Sequence, residues 1–185
     1  FPATFSRPSF LDNHDMNRFL WASGGDKRRL RLSALCQFTL PGAPVVYYGT
    51  EVGLSQERDV RQGERGLPEE SRLPMCWEDA DSDLLSFYRG LVMLRNEYAA
   101  LRSGIQEIVF AKGAVLVYRR ALDGQNLVVV LNLSTEEQVV CLPFRDVCAL
   151  LVSEPGCVVG NPLGGAWLRM PPLAGGCFSI GRLVV

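Results

Sequence analysis

The only histidine of the chain, His14, stands in the run Phe10-Leu11-Asp12-Asn13-His14-Asp15. An imidazole beside two carboxylates can bind sugar hydroxyls, take part in acid–base work or help to hold a metal ion. Asx residues and His are also ordinary turn formers and helix caps, so spacing alone leaves a structural role open for this cluster. A second group, Gly42-Ala43-Pro44-Val45-Val46-Tyr47-Tyr48-Gly49-Thr50-Glu51, joins an apolar run to a glycine-flanked acidic position. Read plainly, it is a tight helix-to-strand-to-loop connection with glycines supplying backbone freedom. A third, Arg72-Leu73-Pro74-Met75-Cys76-Trp77, sets an arginine and a tryptophan at the end of a long charged stretch. Arg72 there either reaches a ligand or braces the loop, and Trp77 is expected to be a buried anchor.

The elements that must position these residues follow from periodicity. Ser9-Phe10-Leu11 is an apolar run too short to assign as a strand unaided. Asp26 caps a helix in which Leu30, Ala34, Leu35 and Phe38 recur at helical spacing, stopped by Pro41-Gly42. Val45-Val46-Tyr47-Tyr48 reads as a buried strand ending at Gly49. Gly53 to Asp79 has no period and many charges, and a loop of that length is usually functional or disordered. A second helix begins after Asp81, with Leu84, Phe87, Leu91, Leu94 and Tyr98 on one face. Strand, helix, strand, long loop, helix is the order of a parallel α/β unit.

Beyond Arg102-Ser103-Gly104 the texture changes. Seven stretches, 108–111, 114–120, 127–133, 138–142, 148–153, 166–170 and 177–180, read as strands, separated by turns such as Lys112-Gly113, Asp123-Gly124 and Gly164-Gly165. Short strands at this spacing imply an antiparallel sandwich or small barrel. The expected division is 1–103, α/β, followed by 104–185, all-β.

Composition narrows the class. Of 185 residues, 48% are hydrophobic and 21% charged, the balance of a globular chain rather than a fibrous or disordered one. A formal net charge of -1 shows no basic excess for nucleic acid, and no apolar run reaches the roughly 18 residues of a membrane span. No nucleic-acid or membrane partner is expected. The six cysteines include no CxxC pair and are read as reduced, mostly buried thiols, with Cys36 and Cys141 among apolar neighbours. The opening Phe1-Pro2-Ala3-Thr4-Phe5 has neither Met nor a signal-peptide pattern and reads as a cut in mid-sequence. A cytoplasmic location is the expectation, with secretion the alternative.

Taken together and in this order, the three groups resemble the α-amylase superfamily, glycoside hydrolase family 13, in its last part. Phe10 to Asp15 is similar to that family's seventh-strand motif F-x-x-N-H-D, and Gly42 to Glu51 to its eighth-strand motif G-x-P-x-x-Y-Y-G-x-E. Arg72 to Trp77 resembles the R-x-P-M-x-W of its α-glucosidases and of maltogenic or cyclodextrin-hydrolysing members. The resemblance implies the last two βα units of a (β/α)8 barrel over 1–103 and a C-terminal β-sandwich over 104–185; a complete barrel needs about 250 residues. It implies that Asp15 is the third invariant carboxylate, contacting hydroxyls of the sugar in the −1 subsite. His14 then donates to a hydroxyl there, Asn13 and Arg72 are further substrate-binding candidates, and Glu51 and Tyr48 support the site.

The activity so implied is retaining hydrolysis or transfer at α-glucosidic bonds of starch-derived glucans. It needs a nucleophilic carboxylate and a general acid about 5–5.5 Å apart. The family takes both from earlier strands, so the chain alone is expected to be inactive; Asp12 cannot replace both groups. No cofactor is implied. Calcium occurs in some relatives, but no run here resembles a complete Ca²⁺ loop. The alternative within the superfamily is a non-catalytic scaffold, like the heavy-chain partners of amino-acid transporters. A carbohydrate-binding role for the β-rich half has only Trp167 as a stacking surface. Two βα units cannot close a barrel, so their apolar faces are expected to dock on the β-rich half or to self-associate.

Overall fold

A computed structural model describes residues 7–63, 66–162 and 165–181. Among the described residues the first half holds four helices, α1 (Phe19–Ala22), α2 (Lys27–Thr39), α3 (Ser82–Glu97) and α4 (Ala99–Ser103), with 3-10 turns at Thr50–Val52 and Pro68–Arg72. Both long helices start where the sequence places them. The Asp26 carboxylate accepts from Arg28 N, and the Asp81 carboxylate accepts from Asp83 N and Leu84 N. Each cap satisfies main-chain donors that have no partner inside the helix. Tyr98 ends α3 rather than continuing its face, because the chain turns extended there before α4 begins.

The described residues of the second half form eight strands: β1 (Ile105–Lys112), β2 (Val115–Leu122), β3 (Gln125–Asn132), β4 (Gln138–Leu142), β5 (Cys148–Val152), β6 (Val158–Gly160), β7 (Ala166–Met170) and β8 (Gly175–Ser179). They make a five-stranded sheet in the order β1-β2-β3-β8-β5 and a three-stranded sheet in the order β4-β7-β6, with antiparallel pairings throughout. Strand β6 is an addition to the seven expected. Of the turn read at Gly164-Gly165, Gly164 lies outside the described residues.

Strand alternation builds two cores from the large sheet. Tyr118, Leu127, Val129, Leu131 and Cys177 face the helices and pack with Leu30, Leu35, Leu84, Leu91 and Leu101. Val117, Val128, Val130 and Phe178 face the small sheet and pack with Val140, Leu142, Leu168 and Met170. Helix α2 approaches β8 at Gly175, where a Cβ would stand 2.7 Å from Leu32 Cδ1 and 2.9 Å from Leu35 Cδ2. The helices thus dock on the β-rich half, one of the two covers expected for them.

Three expectations need correction. Val45-Val46-Tyr47-Tyr48 is not a buried strand: Val45 is 49% exposed, Val46 36% and Tyr48 39%. A strand needs a partner along its length, and this segment has one parallel bridge, Ser9 to Pro44, with Val45 N donating to Ser9 O at 2.7 Å. The thiols are free but not mostly buried. Cys177 is buried and Cys36 and Cys157 are half-buried, whereas Cys76, Cys141 and Cys148 are exposed. Cys141 pairs with Trp167 on the outward side of the small sheet, the face opposite the core that Val140 and Leu142 enter. Trp77 is no anchor either. It is 72% exposed, because the loop is fastened by other residues.

Candidate functional site

The Asp12–Phe19 segment is a loop pinned at both ends. Asp12, 2% exposed, accepts from Phe19 N at 2.9 Å with one oxygen and from Thr50 Oγ1 at 2.7 Å with the other. Both oxygens are committed to holding the loop against the segment after Gly49, so this carboxylate is withdrawn from chemistry. Gly49 turns that segment at φ 85°, and a Cβ there would stand 2.7 Å from Leu54 Cδ2. Between the pinned ends, Asn13 Oδ1 accepts from Asp15 N at 2.8 Å and closes an Asx turn. The turn presents His14 and Asp15 outward, their side chains 62% and 69% exposed, with His14 Nε2 3.2 Å from Asp15 Oδ2.

The third motif comes back to this turn. Arg72 Nε donates to His14 O at 3.1 Å, and its Nη2 reaches Asp15 Oδ1 at 3.4 Å. Its Nη1 lies 3.5 Å from Glu69. Ser71 Oγ adds a 3.1 Å hydrogen bond to His14 O. Asn13, His14, Asp15 and Arg72 therefore meet, and the contacts Arg72 makes within the chain brace the turn. Tyr48 joins the group indirectly: its hydroxyl donates to Leu73 O at 2.8 Å, next to Arg72.

Glu51 is not brought to this cluster. Its Oε2 is buried without a hydrogen-bond partner among the described residues. It lines a separate apolar groove of about 520 Å³ with Val46, Tyr48, Tyr88, Val92 and Met93. Burial, with the nearby charges of Asp12 and Glu51, pushes the Tyr88 phenol above its ordinary range and keeps it neutral.

Motif reading passed over Asn17, Arg18 and Gln56, which fasten the long loop. Asn17 Oδ1 accepts from Gln56 Nε2 at 2.7 Å and from Val60 N at 2.9 Å, while Gln56 Oε1 accepts from Arg18 N at 2.6 Å. The available signal was their position, directly after Asp15 and inside a loop too long to hold itself. Among the described residues, no three or more His, Cys, Asp or Glu side chains converge to hold a metal ion. No helix among them is long and apolar enough to cross a membrane.

A loop of polar residues on parallel-bridged segments, helices packed behind it and an antiparallel β-domain beyond fit the last units of a (β/α)8 barrel with a C-terminal β-domain. Residues 2–84 match the family model described as alpha amylase, catalytic domain. Alpha-amylase 2 of Dictyoglomus thermophilum is 38% identical over 146 residues, 77% of this chain and 25% of that protein. A cyclomaltodextrinase from a Bacillus species is 37% identical over 128 residues, 67% of this chain and 21% of that one. Among solved structures, the α-amylase from Geobacillus thermoleovorans complexed with acarbose superposes with a TM-score of 0.78 at 25% identity, over 96% of this chain and 39% of that one. The chain belongs to the α-amylase superfamily. It spans about a quarter of the length of these curated relatives.

Proposed function

We propose that these 185 residues are the C-terminal part of a retaining glycosidase or transglycosylase that acts on α-glucosidic bonds of starch-derived glucans. Residues 1–103 contribute the last βα units of the catalytic barrel, and 104–185 are the accessory β-domain. Asp15 and His14 contact hydroxyls of one bound sugar; Arg72 holds Asp15 from the side. The observation that carries this reading is the state of Asp15, whose carboxylate is held by Arg72 and His14 yet remains 69% exposed. An acid bonded on one side and open on the other is poised to accept hydroxyl donors. Such hydrogen bonds strengthen as positive charge develops on the sugar ring in an oxocarbenium-like transition state.

Bond cleavage requires a nucleophile and a general acid in addition, and we assign both to residues other than these 185. Asp12 cannot serve, since both its oxygens are engaged. The names of the relatives, an α-amylase and a cyclomaltodextrinase, support the substrate class. The test is release of reducing sugar from maltooligosaccharides by the 185-residue chain. No release is expected, and release that disappears in Asp15→Asn would overturn the division of labour.

A further inference from the structure

Among the described residues three arginines are almost wholly buried, and one is held unlike the others. Arg95 donates to Phe38 O, Leu40 O and Gly42 O, and Arg120 donates to Thr39 O, Gly104 O and Ile105 O. Each ends on main-chain carbonyls, as a buried guanidinium does when its role is to staple elements together. Arg18 is 0% exposed and has one such bond, from Nη1 to Tyr48 O at 2.6 Å. Its Nε and Nη2 have no hydrogen-bond partner among the described residues. Instead, its guanidinium carbon lies 4.1 Å from the Tyr47 ring centre and 4.6 Å from that of Tyr48. The two rings meet edge to face with centres 4.6 Å apart. A planar cation held by ring faces has its orientation fixed by stacking, which an ammonium on a flexible stem does not reproduce.

We propose that Arg18 is a positioning residue for the His14–Asp15 pair; this rests on the sugar-contacting role proposed above. Arg18 is the C-terminal post of the loop whose N-terminal post is Asp12. From Arg18 a closed circuit runs back to the pair. Its guanidinium holds Tyr48, the Tyr48 hydroxyl holds Leu73 O, and the adjoining Arg72 holds His14 O and Asp15 Oδ1. A second path, through Gln56, ties Arg18 N and Asn17 Oδ1 to the long loop. Loss of the stacked guanidinium opens the first path and leaves the second. Asp15 then keeps its Asx turn but not its fixed angle toward a sugar.

The test uses the ¹⁵N-labelled 185-residue chain with Arg18→Lys, Arg18→Met and Tyr47→Leu, the last removing one ring while leaving Arg18 in place. In the unaltered chain, residues 13–15 should show order parameters near about 0.85; in the Arg18 variants they should fall below about 0.6. Maltotriose should shift the His14 ring resonances, with affinity falling about tenfold in both Arg18 variants, the size of one hydrogen bond to a charged group, and by less in Tyr47→Leu. Lysine should not rescue. A merely structural residue would lower the melting temperature and leave order parameters and affinity alone, and that result overturns the proposal. So does rescue by lysine. If Arg18→Met fails to fold, the other two variants decide. If the unaltered chain shows no response to maltotriose while the order parameters still fall, positioning stands and the sugar reading falls.

Discussion

Arg72 and Asp15, 57 positions apart, meet through a 3.4 Å contact between Nη2 and Oδ1, while the same guanidinium donates to the carbonyl of His14. A residue from the end of the long loop thereby sets the geometry of a turn near the start of the chain. Both side chains remain partly open to solvent, at 38% and 69%, so the contact contributes little to stability and much to orientation. Arg72→Ala should cost less than about 1 kcal/mol by denaturant unfolding and yet abolish the response of His14 to maltotriose. Arg72→Lys should recover only part of it, since an ammonium cannot make both bonds in a fixed fork. A large stability loss with an unchanged sugar response would reverse the assignment.

The joint between the two halves should behave in the opposite way. Arg120 is fully buried and donates to three carbonyls, and Tyr118 hydroxyl lies 2.5 Å from Thr39 Oγ1 at the end of α2. Arg120→Met leaves those carbonyls without their donor and should cost about 2–4 kcal/mol; Tyr118→Phe should cost about 1 kcal/mol. Thermal and denaturant unfolding measure both. Neither should separate the halves into two transitions, because they share the core formed by α2, α3 and the large sheet.

Acid sensitivity has a definite sign at Asp81. The Lys27 ammonium at 2.6 Å and the N–H groups at the start of α3 hold its carboxyl below the ordinary carboxylate range. The folded form binds that proton less readily than the unfolded chain does. Its stabilising contribution is complete above the unfolded value of about 3.9 and is lost as pH falls through the lowered folded value. Glu154, which burial pushes upward, contributes with the opposite sign, favouring the fold at lower pH. Asp81→Asn keeps a capping side chain but removes the charge that Lys27 pairs with, so it should lower stability at pH 7 and flatten the acid limb. Asp81→Ala loses the cap too and should cost about 1 kcal/mol more at pH 7. Unfolding free energy measured from pH 2.5 to 7 separates the two.

Thiol chemistry should report the fold directly. Burial pushes Cys177 up to about 12, whereas Cys76, Cys141 and Cys148 are exposed. A thiolate-selective reagent should label those three in the native chain, label Cys36 and Cys157 more slowly, and reach Cys177 only with unfolding. Rapid native labelling of Cys177 would contradict the packing of β8 against α2.

How much of this was open to reading depended on the range of the interaction. Helices α2 and α3 were legible from Asp26, Asp81 and apolar spacing, since a cap and an amphipathic face are local. So were the strands joined at Lys112-Gly113 and Asp123-Gly124. Val45 to Tyr48 was misread because β-branched and aromatic content states a preference, while a strand exists only where a neighbour takes its hydrogen bonds. The three-residue β6 carries no pattern long enough to see. At the site, motifs brought out Asn13, His14, Asp15 and Arg72. Arg18 stayed hidden because the two rings that define its role are about thirty positions away, and Trp77 because exposure depends on which residues secure the loop around it.

His14, as the single histidine, makes the central claim accessible to one titration. The ring resonances of His14 are followed by NMR while maltotriose is added to the unaltered chain and to Asp15→Asn. The expected result is a saturable shift at about millimolar sugar, near −4 kcal/mol, that is lost in Asp15→Asn while the rest of the spectrum is preserved. A chain whose His14 ignores the sugar, or responds equally with and without the Asp15 carboxylate, would contradict the assignment of this turn as the sugar-hydroxyl contact.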